Sequence, residues 1–310
     1  MRIVFPDRID FDNVAKGKIR ALNIKTYDDA PSNEATIIER IHDAELIAVN
    51  FISLTRRCID AAPNLRYVIS AAVGYDGIDY EYAASKGITV LNCPTQNANA
   101  VAEMAITLMF AVSRKIVTAS GELRAGKWTG LDIVGTELSH KKLGLIGYGR
   151  VGKLIEQKVG GLQMRVTHVD SRSSTQELDS LIKQSDVICL CLTLNSATRR
   201  IIDEQRLTNM QPHSILINIA RGDVIDQRAL IDALEKGTIL GAGIDVYENE
   251  PASGNVPDEI LQLATLPNVV ATPHIAYNTQ ETIARLGEEL FNNIESCIAG
   301  KPINVIGSQT

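Results

Sequence analysis

Three side chains of the kinds that move protons and grip carboxylates each fall just past an apolar, strand-like run. Arg221 follows Ile215–Ile219 in Asn-Ile-Ala-Arg-Gly-Asp. Glu250 follows Leu240–Asp245 in Asp-Val-Tyr-Glu-Asn-Glu-Pro, and His274 follows Val269–Ala271 in Ala-Thr-Pro-His-Ile-Ala. In open parallel sheets, ligands bind beyond the carboxyl ends of the strands. A histidine held by a carboxylate is a general acid suited to neutral pH. An arginine can grip a carboxylate at two points and polarise an adjacent carbonyl. Singly, each residue has a plain structural use; together they fit reduction of a 2-oxo acid. The other histidines (His42, His140, His168 and His213) lack this setting. His168 lies inside a strand-like run and His213 follows Pro212, so structural roles are expected for both.

Such a reduction needs a hydride donor, and the chain carries a site for one. Residues 143–152 read Leu-Gly-Leu-Ile-Gly-Tyr-Gly-Arg-Val-Gly, an apolar strand entering Gly147-x-Gly149-x-x-Gly152, and Asp170 ends the next strand-like run. In this fingerprint the first glycine permits the tight strand-to-helix turn, the second admits a pyrophosphate to the backbone, and the third lets helix and sheet pack closely. The helix starting near Arg150 offers N–H groups and a positive dipole end to the phosphates. Asp170 stands where a carboxylate accepts from the adenine ribose hydroxyls, and it disfavours a 2′-phosphate. NAD is therefore the expected cofactor.

The elements that position these residues alternate between strand-like and helical patterns, the signature of parallel sheets covered by helices. Strands are expected at 3–5, 24–27, 46–50, 67–70 and 89–92, with helices near 33–41 and 78–84. Residues 98–112 read as a helix apolar on nearly every face, hence buried or between domains. The stretch 119–139 reads as an irregular arm. Six further strands are expected at 143–146, 166–170, 187–192, 214–219, 240–245 and 269–271, enough for a full dinucleotide-binding sheet. Helix 280–299 has no third domain to serve and is expected to return to the first. The reading is α/β: a Rossmann cofactor domain (98–278) inserted in a discontinuous flavodoxin-like substrate domain (1–97 and 279–310), both doubly wound.

With 310 residues, 45% hydrophobic and 22% charged, the chain suits two ordinary globular domains. A formal net charge of −6 argues against a nucleic-acid or anionic-membrane partner. No apolar run is long enough to span a bilayer, and Met1 leads almost directly into a strand, leaving no room for a signal peptide. The five cysteines (Cys58, Cys93, Cys189, Cys191 and Cys297) form no CxxC pair. Cys189 and Cys191 alternate in an apolar run, so at least one should be buried and reduced. A cytoplasmic protein without a metal site is expected.

The chain closely resembles the D-isomer-specific 2-hydroxyacid dehydrogenase family over nearly its whole length. The resemblance rests on Ala71-Ala-Val-Gly-Tyr-Asp-Gly-Ile-Asp79, Asn92-x-Pro94-x-x-Asn97 with Val101-Ala-Glu103, and the Gly147 fingerprint. Asn218-x-Ala-Arg-Gly222, Asp245-Val-Tyr-Glu-Asn-Glu-Pro251 and Thr272-Pro-His-Ile-Ala276 complete it, in the family's order. It implies that Arg221 binds the substrate carboxylate and carbonyl, that His274 is the acid/base, and that Glu250 is its partner. Backbone of Ala72, Val73 and Gly74 would complete the carboxylate site from the other domain. Tyr148, Arg150 and Val151 would lie along the cofactor, with Leu192, Ala220, Cys93 and Ala276 lining its cleft and Asp245, Arg221 and His274 on the nicotinamide side. It also implies a homodimer, with the segment near 98–139 in the contact.

Some positions depart from the family pattern. Cys191-Leu-Thr193 stands where many members have His-x-Pro, and Ser70 where phosphoglycerate-specific members carry an arginine. The expected reaction interconverts a small 2-oxo acid (glyoxylate, hydroxypyruvate or pyruvate) and its D-2-hydroxy acid. Phosphoglycerate oxidation in serine synthesis is the rival that Ser70 disfavours. Formate chemistry, which pairs the histidine with glutamine, is disfavoured by Glu250. An NAD-sensing corepressor is the rival from another class. Substituent selectivity is expected from the loop Phe51-Ile52-Ser53 and from Ser70.

Overall fold

The computed structural model describes residues 1–31, 33–251 and 254–307. The last three residues of the expected C-terminal segment, 308–310, lie outside them. The chain divides into two compact units. The first comprises Met1–Asn97 and the chain from Asn278; the second comprises Ala98–Pro251 and Asn255–Tyr277.

The first unit is a parallel sheet of β1 (Ile3–Phe5), β2 (Lys25–Thr26), β3 (Leu46–Val49), β4 (Tyr67–Ser70) and β5 (Thr89–Asn92), in the order β2-β1-β3-β4-β5. This is the flavodoxin-like order, which reverses between β1 and β3. The three central strands are buried along their whole length, which is why they read as unbroken apolar runs. Helices α1 (Asn13–Ala21), α2 (Glu34–Ile41), α3 (Arg56–Asp60) and α4 (Tyr80–Ser85) connect them. Asp12, Asn33, Thr55 and Asp79 each cap the following helix through a side-chain oxygen. The C-terminal helix Gln280–Ile298 lays Leu286, Leu290, Phe291 and Ile294 onto Phe5, Ile69 and Leu91. The second strand is shorter than expected and lies exposed at the sheet edge; α1 was not legible, being short and polar-faced.

The second unit begins with α5 (Ala98–Ser113) and α6 (Ile116–Arg124). Then follow β6 (Lys142–Ile146), α7 (Arg150–Val159), β7 (Arg165–Val169), α8 (Thr175–Gln184), β8 (Val187–Leu190) and α9 (Glu204–Asn209). It ends with β9 (Ile215–Asn218), α10 (Gln227–Glu235), β10 (Gly241–Ile244), α11 (Asp258–Ala264) and β11 (Val269–Ala271). The parallel sheet runs β11-β10-β9-β8-β6-β7, reversing between β6 and β8. A ligand crevice is expected at such a reversal, outside the strands' carboxyl ends. The apolar α5 packs on β9 and β10: a Cβ on Gly243 would sit 2.9 Å from both Leu108 and Ile217, so glycine lets helix and sheet meet. The expected irregular arm is in part helical, since α6 runs into it as far as Arg124. No helix among the described residues is long and apolar enough to cross a membrane. Among them no cluster of His, Cys, Asp or Glu could hold a metal.

Candidate active site

β9, β10 and β11 are neighbours, and their carboxyl ends bring Arg221, Asp245, Glu250 and His274 onto one edge of the second unit. After β9, the Asn218 side chain holds the turn: its amide donates to the Arg221 carbonyl at 2.9 Å and its oxygen accepts from the Ala220 N–H. The Arg221 guanidinium donates to the Ala220 carbonyl at 2.8 Å. A Cβ on Gly222 would sit 1.8 Å from the Tyr247 carbonyl carbon. Only glycine therefore lets this turn lie against the Tyr247–Glu248 backbone on the way to Glu250.

His274 Nδ1 donates to Glu250 Oε2 at 2.6 Å, while Oε1 of that carboxylate accepts the Tyr247 N–H at 2.7 Å. The carboxylate is thus fixed from both oxygens, and the imidazole's Nδ1 is committed to it. His274 has φ +51°, a left-handed conformation costing of order 1 kcal/mol for a residue with a side chain. The buried Asp245 carboxylate holds it there. It accepts from Thr272 Oγ1 at 2.5 Å, Ile275 N at 3.0 Å and Ala276 N at 2.8 Å, and the Asp245 carbonyl accepts the His274 N–H. Burial pushes the Asp245 carboxyl above the usual range, with these hydrogen bonds opposing. Its carboxylate thus serves the histidine turn, a job the sequence did not disclose.

The glycine fingerprint fits a dinucleotide. Gly147 has φ +98°, and a Cβ there would lie 2.5 Å from the Cys191 carbonyl oxygen. A Cβ on Gly152 would meet the Gly147 carbonyl at 2.8 Å, whereas Gly149 faces open space, as a pyrophosphate requires. Gly149 is the N-cap of α7 and no side chain caps that helix, which leaves its end to an anion. Cys191 Sγ donates to the Gly147 carbonyl at 2.9 Å, bonding the end of β8 to the fingerprint. Leu192 packs against the core cluster that contains Ala220, and Cys191 against the separate cluster that contains Ala276. Tyr148 stacks on His168 at 3.5 Å between centroids, with its hydroxyl on Glu156. All five cysteines are free, and Cys189 is fully buried.

Asp170 directly follows β7 and is paired with Arg172, which donates from Nη2 at 2.6 Å and from its backbone N–H at 2.9 Å. The pair and that N–H hold the Asp170 carboxyl down at about 2. Arg172 is solvent-exposed but engaged, not merely solvated as a surface arginine would be.

In the first unit, the turn Ala72–Gly74 follows β4. Its carbonyls are all taken locally, Ala72 O by Cys93 N, Val73 O by Asn92 Nδ2 and Gly74 O by Ser70 Oγ. That leaves the three N–H groups as the turn's available polar atoms. Ser70 is buried with its hydroxyl bonded inside the turn, so it shapes the turn and cannot read a substituent as the sequence suggested.

Residues 106–276 match the D-isomer specific 2-hydroxyacid dehydrogenase, NAD binding domain. The chain belongs to this family. A glycerate dehydrogenase of Methylorubrum extorquens is 35% identical over 98% of each chain. The solved D-lactate dehydrogenase of Aquifex aeolicus, complexed with NAD and lactic acid, superposes with TM-score 0.88 at 27% identity, covering all of both chains. An acyclic imino acid reductase in complex with NADPH and D-Arg gives TM-score 0.88 at 32% identity over 99% of this chain and all of that one. The protein is accordingly an NAD-linked oxidoreductase that interconverts 2-oxo and 2-hydroxy acids.

Proposed function

We propose that this dehydrogenase reduces small, unphosphorylated 2-oxo acids to D-2-hydroxy acids, with glyoxylate, hydroxypyruvate and pyruvate as its substrate class. The observation that carries this reading is the 2.6 Å His274–Glu250 pair on the same sheet edge as Arg221. When bound, NADH supplies the hydride. Arg221 grips the substrate carboxylate and polarises the carbonyl, His274 delivers the proton to the carbonyl oxygen, and Glu250 holds the imidazolium. The N–H groups of Ala72, Val73 and Gly74 serve as further carboxylate donors, and Asp245 lies toward the nicotinamide. The first unit is read as the substrate domain and the second as the cofactor domain.

Arg56 and Arg57, the cations nearest the Phe51–Ser53 loop in sequence, are already bonded to Asp79 and Glu34. A dianionic phosphate would find no uncommitted partner in that pair, and desolvating it would be costly. NADH oxidation across glyoxylate, hydroxypyruvate, pyruvate, a branched-chain 2-oxo acid and phosphohydroxypyruvate tests this. The phosphorylated acid is expected to have the lowest kcat/KM. If it leads by about tenfold, or 1.4 kcal/mol of transition-state preference, the reading falls. The same assays with NADPH test Asp170. The Arg172 guanidinium holds its carboxyl down at about 2, so Asp170 is charged at neutral assay pH and NADH should be clearly preferred. Equal efficiency with NADPH would remove Asp170 from the ribose site.

We also propose a cytoplasmic homodimer. Ile116, Val117, Leu123, Trp128, Leu131 and Val134 all lie exposed within one stretch, Trp128 by 92% and Leu131 by 96%. So much apolar surface on one segment marks an association surface. Trp128 is the chain's single tryptophan, so its emission should be blue-shifted at micromolar concentration and move red on dilution. Trp128→Glu with Leu131→Glu should sediment as a monomer. A wild type that sediments as a monomer at micromolar concentration sinks the proposal.

A further inference from the structure

Asp7, just after β1, has no exposed surface, yet it is neither near the catalytic residues in sequence nor paired with a cation. Its carboxylate accepts from three successive backbone N–H groups after β3. Oδ2 takes Asn50 at 3.1 Å, Phe51 at 2.6 Å and Ile52 at 3.2 Å, and Oδ1 is 3.2 Å from Asn50 N. Three consecutive amides converging on one anion form a nest of the kind that binds free anions elsewhere; here the chain supplies its own. Burial raises the Asp7 carboxyl and the three amides oppose it.

The backbone on either side of Asp7 is itself tied down. Arg40 Nη1 donates to the Pro6 carbonyl at 2.7 Å, and Arg40 Nη2 to Asp29 at 2.8 Å. Arg8 N donates to the Asp29 carbonyl at 3.0 Å and Asn50 Nδ2 to the Arg8 carbonyl at 3.3 Å. The consequence falls on the loop. Ile52 is pulled into the core while Phe51 is left 46% exposed. Within the same unit the loop continues into Leu54, whose N–H donates to the Gly77 carbonyl at 2.8 Å, three residues past the Ala72–Gly74 turn. The Val49 carbonyl at the loop's start accepts from Ala71 N, at the turn's start.

We infer that Asp7 is a positioning residue for substrate choice: by holding the Asn50–Ile52 amides it fixes where Phe51 stands beside the carboxylate turn, and so which 2-oxo substituents are accepted. The inference rests on the proposed reading of the first unit as the substrate domain. Asp7 touches no reacting atom; it acts through the loop.

The test compares wild type, Asp7→Asn and Phe51→Ala on glyoxylate, which has only hydrogen on its oxo carbon, and on pyruvate and a branched-chain 2-oxo acid. Asparagine keeps the shape but turns an NH₂ group toward donors. In Asp7→Asn, KM for the substituted acids should change by about tenfold relative to glyoxylate, the scale on which pockets discriminate alkyl groups. Its kcat on glyoxylate should hold. A purely structural Asp7 would instead lower all substrates in parallel, and an unchanged selectivity ratio overturns the proposal. If Phe51→Ala shifts the ratio and Asp7→Asn does not, the loop reading stands and Asp7 loses its role. If neither shifts it, both fall. Should Asp7→Asn fail to fold, Asp7→Glu carries the same comparison. Amide exchange in the wild type adds a further readout: Phe51 and Ile52 should exchange slowly, and exchange as fast as that of an open loop overturns the proposal.

Discussion

Replacing His274 with alanine is expected to lower kcat by ~10²–10⁴-fold, the usual contribution of a positioned proton donor, with KM nearly unchanged. The geometry explains the split between the two constants. His274 gives its Nδ1 to Glu250 at 2.6 Å, and its backbone is held in a left-handed turn by Asp245. On the proposed reading the ring is pre-oriented for proton transfer and stands apart from the carboxylate grip. Glu250→Gln keeps an acceptor for Nδ1 but removes the charge that favours the imidazolium. It should fall between wild type and His274→Ala in kcat, again at similar KM. Steady-state kinetics on the best 2-oxo acid, with circular dichroism to verify folding, decides the matter. A His274→Ala enzyme within about threefold of wild-type kcat would assign the proton to another group, since general acid catalysis is worth far more.

What the sequence disclosed and what it hid follow from one distinction. Local signals were legible: the fingerprint, the apolar runs of the buried strands, and titratable residues just past strand ends, each readable within a few positions. Interactions between distant segments were not. Asp7 binds amides 43 to 45 positions away, and Cys191 binds the Gly147 carbonyl 44 positions away. Neither leaves a mark on its own neighbours. Asp245 was recognised at a strand end, but its bonds to Thr272, Ile275 and Ala276 required β10 and β11 to be adjacent. Nor does anything beside Gly222 in the chain show that the Tyr247 backbone lies against it. Ser70 erred the other way. Its position in the chain suggested contact with the substrate, yet its hydroxyl closes the turn from inside. His168, expected to be structural, is exposed on the edge strand β7 and stacks on Tyr148. Edge position is a topological fact, and the sequence cannot announce it.

Arg221 offers the second large effect, and the one that separates charge from shape. A guanidinium makes two parallel charge-assisted hydrogen bonds to a carboxylate, whereas an ammonium is a point charge on a flexible stem. Hydrogen bonds to charged groups are worth ~1.5–3 kcal/mol each. Arg221→Ala, which loses two, should therefore lower kcat/KM by roughly 10²–10⁴-fold, taking 1.36 kcal/mol per factor of ten. Arg221→Lys restores the charge but not the planar fork, so it should recover only about one of those two bonds. Both kcat and KM should suffer in Arg221→Lys, because in the proposed role the same group binds the carboxylate in the ground state and polarises the carbonyl as hydride arrives. The turn that carries Arg221 is set by the Asn218 side chain and by the close approach of Gly222 to Tyr247, so a lysine starts from the same backbone position and any difference lies in the head group. If Arg221→Lys matches wild type in kcat/KM, a positive charge alone suffices and the two-point grip is not how this enzyme holds its substrate.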